Sequence, residues 1–273
     1  MSRIMWDHHQ ARHLRHAALL LAAALALAGC KTTQQASRGA NITTGSITPA
    51  SNPPSVRDAM QLQKAWEKRP GDAQIGLALA DQLKKLGQQE RQLAVLKKLV
   101  ELNPARQDIR YHYGIELLKA NRAVQAEEQF RRLLREGRRD WRVFNALGSA
   151  LAEQNRHGQA RSNFQMALKM SPGNAQIINN LAMSYMLDGD PARAEQLLRQ
   201  VLPAARGSVK VKVRQNLALA LGLQGRFQEA RYMASHDLPP QQVEANMAYL
   251  RKMLGAGQTW DKIANDQPSQ KAG

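Results

Sequence analysis

Asn145, Gln176, Asn179, Asn180, Gln215 and Asn216 carry side-chain amides, and each amide both donates and accepts hydrogen bonds. That chemistry suits the alternating N–H and C=O groups of an extended peptide, captured with little sequence preference. Hydration of an empty surface is the other reading of the same residues. Catalysis finds no foothold: there is no HExxH, no paired CxxC, no glycine-rich phosphate loop after a strand and no GxSxG. His112, His157 and His236 are isolated, and Met183 with Met186 suits packing or a plastic contact surface. Cys30 is the only cysteine, so no internal disulfide forms.

The elements that position the amides show in the stretch from Trp141 to Asn174. Phe144, Leu147, Gly148 and Leu151 fall at the spacing of one helical face; Ala160, Phe164 and Ala167 make a second, and Pro172 closes the unit. Gly148 and Ala160 are small enough for two helix backbones to approach closely beneath Phe164. In steps of 34 residues the small position recurs as Ala80, Gly114, Gly148 and Ala182, and the second-helix anchor as Leu96, Phe130, Phe164 and Leu198. A fifth unit follows a two-residue slip, with Leu217, Ala218, Leu221, Gly225 and Ala230. The first unit departs from the pattern at Gln92, where later units have alanine.

This pattern resembles the tetratricopeptide repeat. The chain reads as an all-α protein, a tetratricopeptide-repeat α-solenoid of about five helix-turn-helix units with a capping helix at each end. The expected repeats are 73–106, 107–140, 141–174, 175–208 and 211–240 within 73–240, flanked by an N-terminal cap at 55–72 and a C-terminal cap at 241–264. The resemblance further implies that the second, fifth, sixth and ninth positions of each unit line a groove. Those positions hold Asp108, Tyr111, His112 and Ile115; Arg142, Asn145, Ala146 and Ser149; Gln176, Asn179, Asn180 and Met183; and Lys212, Gln215, Asn216 and Leu219. Tyr111, His112, Arg142, Asn145, Gln176, Asn179, Asn180, Lys212 and Asn216 are the partner-binding candidates. Asn180 and Lys212 match part of the family's clamp for a terminal carboxylate, but Asn216 stands where its arginine is expected.

Residues 1–29 have the composition of a signal peptide: Arg3, Arg12 and Arg15 precede an Ala/Leu run from Ala17 to Ala28. That run is shorter than the ~20 residues a membrane span needs. Leu27-Ala28-Gly29-Cys30 resembles the bacterial lipobox, which implies that Cys30 is lipidated and becomes the first mature residue. The covalent lipid is the only prosthetic group expected. Residues 30–54 hold the lipidated cysteine and a polar tether, which as a flexible chain reaches roughly 25–30 Å. Lys31 beside the cysteine suits sorting to the outer membrane in the enterobacterial rule. Residues 265–273 read as a disordered tail.

The chain carries 39 basic and 22 acidic residues, a net +17. Loss of the leader removes three arginines and one aspartate, leaving 36 against 21, or +15. Basic clusters at Lys84-Lys85, Lys97-Lys98, Arg131 to Arg139 and Lys210 to Arg214 lack interleaved exposed aromatics, so nucleic acid is not the expected partner. Two readings stand for them: solvated outer faces of second helices, or attraction to acidic partners, anionic headgroups or cell-wall polymer.

Taken with the tether and repeats, the ending NLALALGLQGRFQEARYMASHDLPPQQVEANMAYLRKML resembles the TadD-type lipoproteins of tight-adherence (Flp) pilus assembly. The resemblance implies a non-catalytic lipoprotein of the cell envelope, on the outer membrane facing the periplasm. Its expected partners are proteins or peptides, above all the secretin and other pilus-assembly components, with no small-molecule substrate. The alternative is a general envelope adaptor that recruits cell-wall hydrolases.

Overall fold

The structure is a computed structural model that describes residues 55–265, with 256–265 as helix backbone. The expected leader at 1–29, Cys30, the tether at 30–54 and the tail beyond Asn265 lie outside the described residues. Twelve helices and no strand occur among those described: α1 (Val56–Lys68), α2 (Ala73–Lys85), α3 (Gln89–Leu102), α4 (Gln107–Lys119), α5 (Ala123–Arg135), α6 (Trp141–Glu153), α7 (His157–Met170), α8 (Ala175–Leu187), α9 (Pro191–Val201), α10 (Gly207–Leu223), α11 (Phe227–Ser235) and α12 (Pro240–Asn265). None of them is long and apolar enough to cross a membrane.

The helices end where the 34-residue grid tells them to. Asp72, Asp140 and Asn174 occupy equivalent N-cap positions, and each side-chain oxygen accepts from the backbone N–H groups two and three residues on. The turn inside each pair needs a left-handed residue, and Gly87, Asn121, Asn155, Gly189 and Gly225 supply φ between 58° and 86°. Glycine and asparagine are the residues that enter that region at least cost. Two departures from the expected bounds appear. The helix α10 starts at Gly207, ahead of the expected unit start at 211, and Asn265, expected in the tail, closes α12.

The chain divides into two compact units at Gln154 and Asn155. In the N-terminal unit α1 packs along α2, the pairs α2/α3 and α4/α5 stack, and α6 packs on both α5 and α4. Leu79, Leu83, Leu96, Leu99, Leu117, Phe130 and Leu133 are fully buried there. Gly114 shows why the small position must be small. A Cβ on it would lie 2.6 Å from Phe130 Cε1 and 2.8 Å from its Cζ. Gln92, the exception to alanine, is itself buried, and its amide is satisfied by Glu116 of the next pair at 3.0 Å.

In the C-terminal unit α7 packs on α8, α8 and α9 pair, and α10 sits against both before pairing with α11. Val243, Met247 and Leu250 of α12 are buried, and Leu250 fills the space above Gly222, so α12 covers the apolar end of α10 and α11.

A polar clasp recurs one turn into α5, α7 and α9, and sequence periodicity did not disclose it. Gln154 donates to Glu127 at 2.7 Å, and two repeats on Gln224 donates to Glu195 at 2.8 Å. Between them the same two positions hold Arg161 and Asp188, an ion pair of 2.7 Å. The clasp keeps its place while its residue types change, tying α5, α7 and α9 each to the end of the first helix that follows.

Candidate functional site

In the N-terminal unit the groove positions of α4 and α6 differ widely in what they offer. Tyr111 is half-buried, its ring 6.0 Å from Phe130 and 4.8 Å beneath the Arg138 guanidinium. Burial raises its hydroxyl pKa. Arg138 also donates to the Gln107 carbonyl at 3.0 Å and pairs with Asp140 at 2.9 Å, so it belongs to this inner contact and not to an outer basic face. Arg142 is exposed and lies over Trp141, whereas Asn145 is only 7% exposed.

His112 is half-buried beside a hollow of about 320 Å³ lined by Leu77, Asp81, Lys84, Gln92, Asp108 and Ile109. Burial lowers its pKa, which favours the neutral imidazole near pH 7. One turn on, Glu116 has a 4% exposed side chain that accepts from Lys119 at 2.7 Å, Lys84 at 2.9 Å and Gln92 at 3.0 Å. Burial alone would raise its pKa; the three hydrogen bonds outweigh it and hold the carboxyl at about 2. Lys84, read in the sequence as part of a solvated or partner-attracting basic cluster, is exposed yet bridges α2 to α4 through Glu116.

That low pKa makes a pH prediction. The folded pKa lies below the ordinary carboxylate value, so Glu116 stabilises the fold fully above about pH 4.5 and progressively less as the pH falls toward 2. Glu116→Gln is expected to cost about 3 kcal/mol at pH 7. The difference in melting temperature between wild type and variant should shrink steadily from pH 5 to pH 2; a constant difference contradicts the assignment.

In the C-terminal unit α8 and α10 lie side by side and bring their groove positions together. Asn216 Nδ2 donates to Asn179 Oδ1 at 2.8 Å. Gln176 and Lys212 are exposed, while Asn180, Gln215 and Asn216 are half-buried. The amides differ in exposure, for Asn179 is 6% exposed and its carbonyl accepts from Asn216. That bond leaves the half-buried Asn216 carbonyl oxygen outside it as an acceptor. Leu219 is buried, so the ninth position of α10 contributes to the core.

The cluster of Lys210, Lys212 and Arg214 also divides. Arg214 grips Asp237 through both ends of its guanidinium, Nε at 2.8 Å, and the Asp237 side chain is 6% exposed. Asp237 opens the DLPP break, so this fork fixes where α12 departs from the repeats. The sequence carried a signal for the contacts it missed: Gln92 breaking the alanine pattern pointed to a buried acceptor such as Glu116.

Profiles of the tetratricopeptide repeat match residues 113–175 and 151–215. A TPR repeat-containing protein of Pseudomonas aeruginosa is 29% identical over 146 residues, 53% of this chain and 25% of that protein. The chain therefore spans about a quarter of that relative's length. Among solved structures, a tetratricopeptide repeat protein from Parabacteroides merdae is similar with a TM-score of 0.59 at 15% identity, over 71% of this chain and 77% of its own. A thermophilic TPR protein of Thermus thermophilus gives 0.54 at 23% identity, over 65% and 97%. PilW, a widely conserved type IV pilus biogenesis factor, gives 0.53 at 19% identity, over 72% and 91%. At these identities the structures share the fold.

Proposed function

From the premise that this chain carries tetratricopeptide repeats across residues 113–215, we propose that it is a lipid-anchored, non-catalytic scaffold that captures a protein segment on the inner faces of its first helices. The observation that carries the reading is the paired inner row of α8 and α10. There Gln176 and Lys212 are exposed and Asn180 and Asn216 half-buried on two adjacent helices, and the Asn216 carbonyl oxygen is not used in its bond to the buried Asn179. Side chains of this kind suit backbone N–H and C=O groups of an extended segment.

The segment's owner, in this reading, is the secretin or another assembly component of a tight-adherence pilus, at the outer membrane and facing the periplasm. Support comes from the lipobox-like Leu27-Ala28-Gly29-Cys30 and from the DLPP ending, whose Asp237 the repeats hold through Arg214. Two or more acyl chains at Cys30 suffice for stable anchoring.

The test of anchoring is fractionation of cells carrying Cys30→Ser. The variant is expected in the soluble envelope fraction, while the native chain stays with membranes and its first mature residue carries the mass of attached lipid. A membrane-bound native chain with an unmodified Cys30 overturns the anchor. Co-purification of the secretin with the intact lipoprotein supports the named partner, and its absence after crosslinking removes it.

A further inference from the structure

The first helix of the fold has two unlike faces. One packs along α2, with Ala59 buried and Leu62, Ala65 and Trp66 half-buried. On the other, Val56 and Met60 are 60% and 59% exposed, one turn apart, and Lys64 follows a turn later. Arg57 and Lys68 are exposed beside them. Among the described residues none of these three cations pairs with a carboxylate. The acids of the helix are Asp58, in the first turn behind Ser55, and Glu67, exposed three residues after Lys64 on the same face, whose carboxylate accepts from Gln63 at 2.9 Å, so that face carries three cations against one acid. Arg69, exposed at the helix end, adds a fourth cation, held loosely by Asp72 at 3.6 Å.

Apolar side chains flanked by cations are the composition that settles into the headgroup boundary of an anionic bilayer. Position in the chain makes this helix the one that meets such a surface. Ser55 begins it, and the 24 polar residues from Lys31 to Pro54, which the sequence leads one to expect as a tether, separate it from Cys30. A flexible chain of that length reaches roughly 25–30 Å, so with lipid on Cys30 a weak contact of the helix would become an effectively intramolecular one.

We propose that the outward face of α1, carrying Val56, Arg57, Met60, Lys64 and Lys68, docks on the anionic phospholipid surface to which the chain is anchored. The docking would hold the repeats at the membrane surface. The proximity rests on the lipid anchor proposed at Cys30; the helix's own affinity does not, and the two are measured separately.

The experiment uses the mature chain, residues 30–273, carrying Cys30→Ser so that no acyl chain contributes. It is floated with vesicles containing phosphatidylglycerol and, in parallel, with phosphatidylcholine vesicles. The protein is expected to float with the anionic vesicles at low salt, to be released at about 0.5 M salt, and to stay unbound with phosphatidylcholine. Val56→Ser with Met60→Ser, and separately Lys64→Glu with Lys68→Glu, should each weaken binding at least tenfold while melting as wild type, since these side chains are exposed. Absence of binding to anionic vesicles, equal binding to both lipids, or unchanged binding in either double variant overturns the proposal. A dimer in solution that Val56→Ser with Met60→Ser dissociates, without vesicle binding, assigns the face to a second copy of the chain instead. Failure of the anchor appears elsewhere, as an unmodified Cys30, and leaves this result untouched.

Discussion

Gly114→Leu is expected to destabilise the N-terminal unit by about 3 kcal/mol, at the upper end of overpacking costs. The reason is local. Even the first added carbon would sit 2.6 Å from the Phe130 ring, which is fully buried between α4 and α5. A ring has no flexible tip to move aside, so the two helices must separate or the phenyl must leave its rotamer. Scanning calorimetry should record a fall in melting temperature on the order of 10 °C. Lys98→Leu is the control: Lys98 is 51% exposed and its contact with Glu101 is a surface pair at 3.7 Å, worth under about 1 kcal/mol. Equal melting temperatures for the two variants would show that Gly114 is not a packing position.

The second large effect is on binding. Replacing Asn179, Asn180 and Asn216 together by alanine should weaken capture of the partner segment by tens-fold or more, with helical content and membrane attachment preserved. Each lost amide bond contributes about 0.5–1.5 kcal/mol, so single changes are small and the triple change is large. Asn179 and Asn216 act as a pair, because one holds the other. Asn216→Ala should therefore cost more than the loss of its own contact, by also releasing Asn179, and the two single effects should fail to add. Titration of labelled partner peptide against the three singles and the triple reads both quantities. A triple variant with wild-type affinity moves the working surface elsewhere, to the exposed cations of α5 and its following turn, Arg135 and Arg139.

The helix pairs and their 34-residue register were readable from the sequence because they rest on steric rules that every unit obeys. Gly114 against Phe130 is the rule in atomic form, and Gly87, Asn121, Asn155 and Gly189 would have been found by the same step. What escaped was the pairing of polar side chains. Arg161 reads as a surface arginine until Asp188 of the next helix arrives beside it. Arg110 is harder still: it occupies a position held by Phe144 and Ile178 in later units, is 2% exposed, and reaches the Pro104 carbonyl, Gln129 and Glu136 at 3.3–3.4 Å. Period and spacing place a residue on a face; they do not say which neighbour satisfies it. The amide row shows both sides of this. Its register followed from the repeat, but the burial of Asn145 and Asn179 follows from how closely neighbouring helices pack.

Site-specific photocrosslinking distinguishes the inner row from the rest of the surface. A crosslinking residue at Gln176, exposed on α8 at a groove position, is compared in living cells with one at Lys169, exposed near the end of α7. If the inner row captures the partner, Gln176 yields a discrete adduct with an envelope protein, the secretin or a pilus-assembly component, and the adduct disappears when Asn180 and Asn216 are alanine. An adduct at Lys169 with none at Gln176 contradicts capture on the inner faces of the first helices.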